Sequence, residues 1–224
     1  MRDTLVFDVD GTLVNTLPHI YKSYCLACQR FKLKEPSLEL LRKNYDQSNN
    51  FRNTAKAIGV PSELTDEFNY WVYEFFKKEI RKNKPEMIPT VLNVLYALKA
   101  RGVNMCILSL EMHENTVYKL GEKIVNDIFS EIIMPHKGKP DALKKLNNCS
   151  KGNIIYVGDC VSDGEAARFA DVNFIGLATE YSFSEENNMI EYVKKNIEKS
   201  RVVLSHFHII STYEGMNLGN GLYE

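Results

Sequence analysis

Short apolar runs at residues 4–7, 103–108, 131–134, 153–157 and 172–177 alternate with longer stretches, around 89–101, 114–125, 140–148 and 162–170, whose apolar positions recur at helical spacing. Runs such as Ile154-Ile155-Tyr156-Val157 lack the in-out alternation of a half-solvated strand, so they predict strands covered on both faces. Strand and helix in alternation predict an α/β fold: an open, mostly parallel, Rossmann-like sheet with helices on both faces, joined by right-handed crossovers. The interval from 15 to 86 is too long for one crossover and holds helical patterns without a strand, with breaks at Pro18, Pro36, Gly59 to Pro61 and Pro85 to Pro89. It predicts an all-helical insert at 15–86 within a catalytic core formed by 1–14 and 87–224. The insert leaves the chain just past the carboxyl end of the first strand, the edge where open α/β sheets bind ligands, and is therefore expected to act as a lid. Beyond residue 201 the pattern weakens; 202–204, Phe207 and Ile209-Ile210 suggest a further strand, and 217–224 a mobile or partner-docked tail.

Composition narrows the class. The 224 residues are 44% hydrophobic and 25% charged, which suits a globular domain with a sizeable core. A formal net charge of −1 supplies no basic field for nucleic acid or an anionic membrane, so neither partner is expected. No apolar run approaches the roughly 18 residues of a membrane span. The first residues pass straight into a strand pattern without a signal peptide's regions, and a cytoplasmic location is expected. Cys25, Cys28, Cys106, Cys149 and Cys160 form an odd, scattered set that fits a reducing compartment. The Cys25/Cys28 pair reads as two small buried residues one helical turn apart, because nothing completes a four-ligand zinc site.

The chemistry lies at the strand ends. In Asp8-Val9-Asp10-Gly11-Thr12, two carboxylates point the same way while the chain is extended, and Gly11 permits a sharp turn that aims backbone N–H groups at an anion. The segment Gly158-Asp159-Cys160-Val161-Ser162-Asp163-Gly164 ends the fourth apolar run, so Asp159 and Asp163 are expected at the same edge as Asp8 and Asp10. Four acids in one cleft repel one another unless a cation joins them, and a hard oxygen-seeking ion, most simply Mg2+, meets that need. Ser109, directly after the second run, and Lys139, ahead of a helix, suit the equatorial oxygens of a phosphoryl group.

The ordered set DVDGT, Ser109, Lys139-Pro140 and GDCVSD resembles the haloacid dehalogenase superfamily of phosphohydrolases over residues 4–177, and DGTLVNTLPHI resembles its phosphoglycolate-phosphatase-like branch, whose helical cap lies between the first two motifs. Asn15 departs from that branch, which commonly has an acid there. The resemblance implies a Mg2+-dependent phosphatase acting on a small phosphorylated metabolite through an aspartyl-phosphate. It makes Asp8 the nucleophile and Asp10 the acid and then the base. It also implies a metal sphere from Asp8, the Asp10 main-chain carbonyl and Asp159, with Asp163 in or just behind it, and a phosphate site from Gly11, Thr12, Ser109 and Lys139, with Lys139 also orienting Asp8. The alternatives are a phosphomutase of the same superfamily or a non-catalytic phosphometabolite-binding module; Asp10 disfavours dehalogenation and phosphonate cleavage. Within the insert, Arg42, Lys43 and Arg52 are candidates for a second anionic group, although a solvated face is the ordinary reading of each. The aromatic stretch Phe68 to Phe76 reads chiefly as packing along Phe68, Trp71 and Phe75. His19 is expected to be structural, and His206 and His208 to belong to a terminal strand.

Overall fold

In the computed structural model, which describes residues 3–45 and 51–217, six strands form one parallel sheet. They are β1 (Thr4–Phe7), β2 (Asn104–Leu108), β3 (Glu131–Ile133), β4 (Ile154–Gly158), β5 (Asn173–Leu177) and β6 (Ser200–Val203), in the spatial order β3-β2-β1-β4-β5-β6. The chain moves outward from β1 through β2 to β3, then returns to the other side of β1 to begin β4. That reversal puts the topological switch point between β1 and β4, whose register pairs Phe7 with Val157.

Successive residues of a strand face opposite layers, and each layer is filled. On one face Leu5, Phe7, Ile107, Ile155 and Val157 pack against α5 (Val91–Ala100), α7 (Glu122–Ile128) and α11 (His208–Asn217). On the other, Val6, Cys106, Leu108, Tyr156 and Phe174 pack against α8 (Lys139–Cys149), α9 (Val161–Phe169) and α10 (Glu186–Lys195). Burial on both sides is why these strands carry no alternation. The helical pattern over 114–125 is interrupted at Gly121 and forms two helices, α6 (His113–Leu120) and α7. The third strand is shorter than its apolar run. β6 begins two residues before the run that suggested it, and Ile209-Ile210 lie in α11, not in a strand. Of the closing segment 217–224, all but Asn217 lies outside the described residues.

Between β1 and α5 stand α1 (Leu17–Arg30), α2 (Leu38–Asn44), α3 (Arg52–Ile58) and α4 (Thr65–Lys82), with their own apolar interior of Ile20, Tyr24, Leu41, Ala55, Phe68, Val72 and Phe76. The buried row on α4 is Phe68, Val72, Phe76 and Ile80; Trp71 and Phe75 are only half-buried, and Arg30 stacks 3.7 Å over the Trp71 ring. The packing stripe shares Phe68, on which Tyr24 and Phe31 pack, with that expected, and then runs through Val72 and Phe76 in place of Trp71 and Phe75. Cys25 and Cys28 are buried thiols on α1, and burial pushes Cys28 up to about 11. The two chain crossings between insert and core run side by side: Asn15 N–H donates to the Glu86 carbonyl, Ile88 N–H to that of Leu13, and the His19 ring to that of Asn83. His19 is a tie across this hinge.

Gly164 of α9 allows close approach of the helix to the C-terminal layer, since a Cβ there would lie 2.3 Å from a ring carbon of Tyr192 and 3.0 Å from one of Phe174. Gly164→Ala is expected to destabilise the protein by about 2 kcal/mol through overpacking, measured as a fall in the urea midpoint at unchanged slope.

Candidate active site

β1 and β4 end side by side, and their ends carry the acids. Asp8 follows β1 directly. The chain then turns back, with the N–H groups of Leu13 and Val14 donating to the Val9 carbonyl. Gly11 sits in this turn at φ 78°, and a Cβ on it would lie 2.3 Å from Asp159 Oδ2, so a side chain is excluded by both backbone and space. The Thr12 hydroxyl donates to Asp159 Oδ1 at 3.1 Å, and the Thr12 carbonyl accepts from His206 Nε2 at 2.8 Å. Thr12 thus braces Asp159 and does not line the cavity over Asp8. His206, buried in the turn after β6, braces Thr12; burial lowers its pKa despite the carbonyl contact. His208 opens α11, so the two histidines do not share a strand face.

Lys139 joins the two strand ends. Its ammonium lies 3.0 Å from Asp8 Oδ1 and 2.7 Å from Asp163 Oδ1, and all three side chains are buried. Burial disfavours the ammonium, but Asp163 and Asp8 outweigh that and hold its pKa well above the ordinary value. Asp163 also accepts from the Tyr156 hydroxyl at 3.1 Å and the Cys160 N–H at 3.1 Å, so its oxygens are engaged behind the site. Asp159 accepts from the Phe183 N–H at 2.6 Å. Ser109 is buried and its hydroxyl accepts from the Glu111 N–H at 3.1 Å.

A second buried ammonium has no counterpart among the residues singled out from sequence. Lys119 of α6 donates to both Asp10 oxygens, at 2.7 and 2.8 Å, and lies 3.7 Å from Glu111. Burial works against its charge, yet Asp10 and Glu111 raise its pKa overall. Glu111 is raised by burial, opposed by Lys119 and reinforced by Asp10. The Asp10 side chain is directed to Lys119.

The donor set fits a hard divalent cation. Burial first, with Asp163 and Asp10 adding to it, pushes Asp8 up to about 7 against the pull of Lys139. Burial, Asp163 and Asp8 likewise hold Asp159 well above the carboxylate range. Among the described residues, Lys139 alone meets the Asp8 carboxylate. Two buried oxygen donors short of positive charge are what a cation such as Mg2+ takes, whereas the neighbouring Cys160 sulfur suits a softer ion.

Asp8, Asp10, Ser109, Glu111 and Lys139 line one cavity of about 280 Å³ beneath the insert. Gly11, Thr12, Asp159 and Asp163 stand behind its wall. Arg42 donates to the carbonyls of Thr179 and Ser184, Arg52 pairs with Asp66 at 2.8 Å, and the Lys43 carbonyl accepts from Asn188. None of these three residues lines the cavity: Arg42 through its guanidinium and Lys43 through its main-chain carbonyl fasten the insert to the core, and Arg52 lies on the surface.

The haloacid dehalogenase-like hydrolase family model matches residues 5–177. Phosphoglycolate phosphatases of Haemophilus influenzae (strain 86-028NP) and Mannheimia succiniciproducens are 24% and 26% identical, each alignment spanning 80% of this chain and 86% of the relative. A haloacid dehalogenase-like hydrolase of Streptococcus pneumoniae superposes with a TM-score of 0.73 at 15% identity, covering 95% of this chain and 98% of the other. A family hydrolase of Deinococcus radiodurans with bound phosphate and sodium gives 0.71 at 18% identity, covering 97% of each.

Two outcomes follow from the buried charges. Lys119→Met leaves Asp10 and Glu111 facing each other without a counter-ion and is expected to cost about 3 kcal/mol, read by urea denaturation at pH 7.5, with Glu111→Gln in the same chain recovering part of the loss. For Asp8 the folded pKa lies above the unfolded one, so the folded state binds more protons between about pH 4 and 7 and loses stability as pH rises through that window. In EDTA, Asp8→Asn is expected to flatten that fall in melting temperature, and a divalent cation to raise wild-type stability most above pH 7.

Proposed function

Because the chain belongs to the haloacid dehalogenase-like hydrolase family, we propose that it hydrolyses a small phosphate monoester in two steps, with Asp8 as nucleophile and Asp10 as proton carrier. The observation that carries this reading is the cavity at the sheet's carboxyl edge, where Asp8, Asp10, Ser109 and Lys139 meet beneath the insert. In the first step an Asp8 oxygen bonds to phosphorus, the ester P–O bond breaks, and the departing alcohol oxygen takes a proton from Asp10. In the second, Asp10 removes a proton from water as that water's oxygen bonds to phosphorus and Asp8 is released. Lys119, donating to both Asp10 oxygens, holds that group in place and stabilises the ionised form that takes the proton from water. Lys139 fixes Asp8 for attack and, with Ser109, faces the charge that builds on the phosphoryl oxygens.

Asp8, the Asp10 main-chain carbonyl and Asp159 would hold Mg2+, with Asp163 behind them; bound there, the ion neutralises the clustered carboxylates and the phosphate oxygens. Residues 15–86 serve as a cap that covers the bond being broken and shapes the space for the alcohol. A mutase must also grip a second phosphate. Among the described lining residues Lys139 is the one cation, which favours transfer to water.

Hydrolysis of 4-nitrophenyl phosphate is expected to require Mg2+ and to stop in EDTA. Asp8→Asn is expected to abolish it with the fold retained, and near-wild-type turnover in that variant would point to direct attack by water. Lys139→Ala is expected to lower kcat by about a hundredfold, the loss typical of one donor to developing charge, and Asp159→Asn to raise the Mg2+ concentration needed for half-maximal rate.

A further inference from the structure

The phosphoryl end of the cavity is polar; the rest of its wall is mostly apolar, with Asn69 and the rim residue Tyr73 as polar members. Ile20 and Tyr24 come from α1, Val72 and Phe76 from α4, and Phe183 from the loop after β5. Tyr45 completes the enclosure, its ring centroid 4.9 Å from that of Phe183 and 5.3 Å from that of Phe51, which also lines the space. Lys139, the one cation among the described lining residues, is already shared between Asp8 and Asp163. Glu111 adds a third carboxylate to the lining beside Asp8 and Asp10. Arg42 is spent on core carbonyls and Arg52 on Asp66.

On the phosphatase reading above, we infer that the alcohol released is uncharged and apolar, with a flat body about the size of a single ring, and that the site selects against phosphate esters bearing a carboxylate. A volume of about 280 Å³ lies at the small end of the roughly 300–1,000 Å³ of small-molecule sites, so the phosphoryl group and one ring fill it. A ring gains burial and offset or edge-on contacts with Tyr45, Phe76 and Phe183. A carboxylate in the same place loses its water and finds no unshared cation among the described lining residues, since Lys139 is held by Asp8 and Asp163 and the Lys119 ammonium behind the wall by Asp10 and Glu111. This separates the chain from the substrate for which its curated relatives are named, since phosphoglycolate carries a carboxylate next to its ester carbon.

The test compares benzyl phosphate, 2-hydroxyethyl phosphate and 2-phosphoglycolate with the Mg2+-loaded full chain. The expected order of kcat/KM is benzyl, then hydroxyethyl, then phosphoglycolate, with at least about tenfold between the ends, equivalent to 1.4 kcal/mol. Tyr73→Lys, which adds a cation at the exposed rim of the cavity, is expected to narrow that ratio by improving phosphoglycolate. Phosphoglycolate matching or exceeding benzyl phosphate in the wild type overturns the inference. Dissociation constants of the three esters for Asp8→Asn, measured calorimetrically, give the same ranking without turnover. If no ester is hydrolysed, the phosphatase reading falls, and those constants still decide the inference: tighter benzyl phosphate supports it, while equal, reversed or undetectable binding of the three removes it.

Discussion

A lysine ammonium withdrawn from water is tolerated only where carboxylates replace the lost hydration, and the two carboxylates around Lys139 are themselves withdrawn and need it equally. The arrangement also works against a local cost. Lys139 is the first residue of α8, where a helix's dipole disfavours a cation. Asp163, by contrast, sits in the first turn of α9, where the dipole favours an anion and the Cys160 N–H completes its bonding. The pair draws the starts of α8 and α9 to the end of β1, with Tyr156 of β4 closing the network from below. The position of Asp8 is therefore set by four elements, and its own short loop need supply little of that constraint.

The insert relates to this framework by a different logic. Its interior is apolar and closed on itself, yet Phe183 and Cys160 of the core belong to the same cluster, and Arg42 and Asn188 tie the two parts along one side. At the opposite end the paired crossings at residues 13–15 and 86–88 act as a short antiparallel hinge. Polar ties along one margin and paired backbone crossings at another leave the cavity between them, with the acids on the sheet side and most of the apolar lining on the helices of the insert.

Much of this was legible in the sequence because it is local. Five strands were written as unbroken apolar runs, and Asp8, Asp10, Ser109, Lys139 and Asp159 each follow or adjoin a run that fixes its place at one edge. What escaped is non-local or polar. Lys119 reaches Asp10 across 109 positions, and nothing around it in sequence sets it apart from other helical lysines. Glu111 follows Ser109 by two residues, a spacing that a sequence does record, but its partner Lys119 is not marked in the same way. Helix α10 buries only Met189 and Val193 among mostly polar neighbours, too thin an apolar stripe to stand out. The cations of the insert looked available because a sequence does not record the carbonyls of Thr179 and Ser184 to which Arg42 is bound.

The contact between His206 and Thr12 has a consequence for how the protein comes into being. Thr12 lies in the turn after the first strand of the sheet, and the ring that holds its carbonyl is encoded 194 positions later. Strands β1, β2 and β4 can pair while translation continues, since domains generally begin to organise from the amino end. The loop after Asp8 gains its last brace only when β6 and the turn beyond it have been delivered. A nascent chain thus carries its acids before their loop is braced, and that brace waits for a residue far along the sequence.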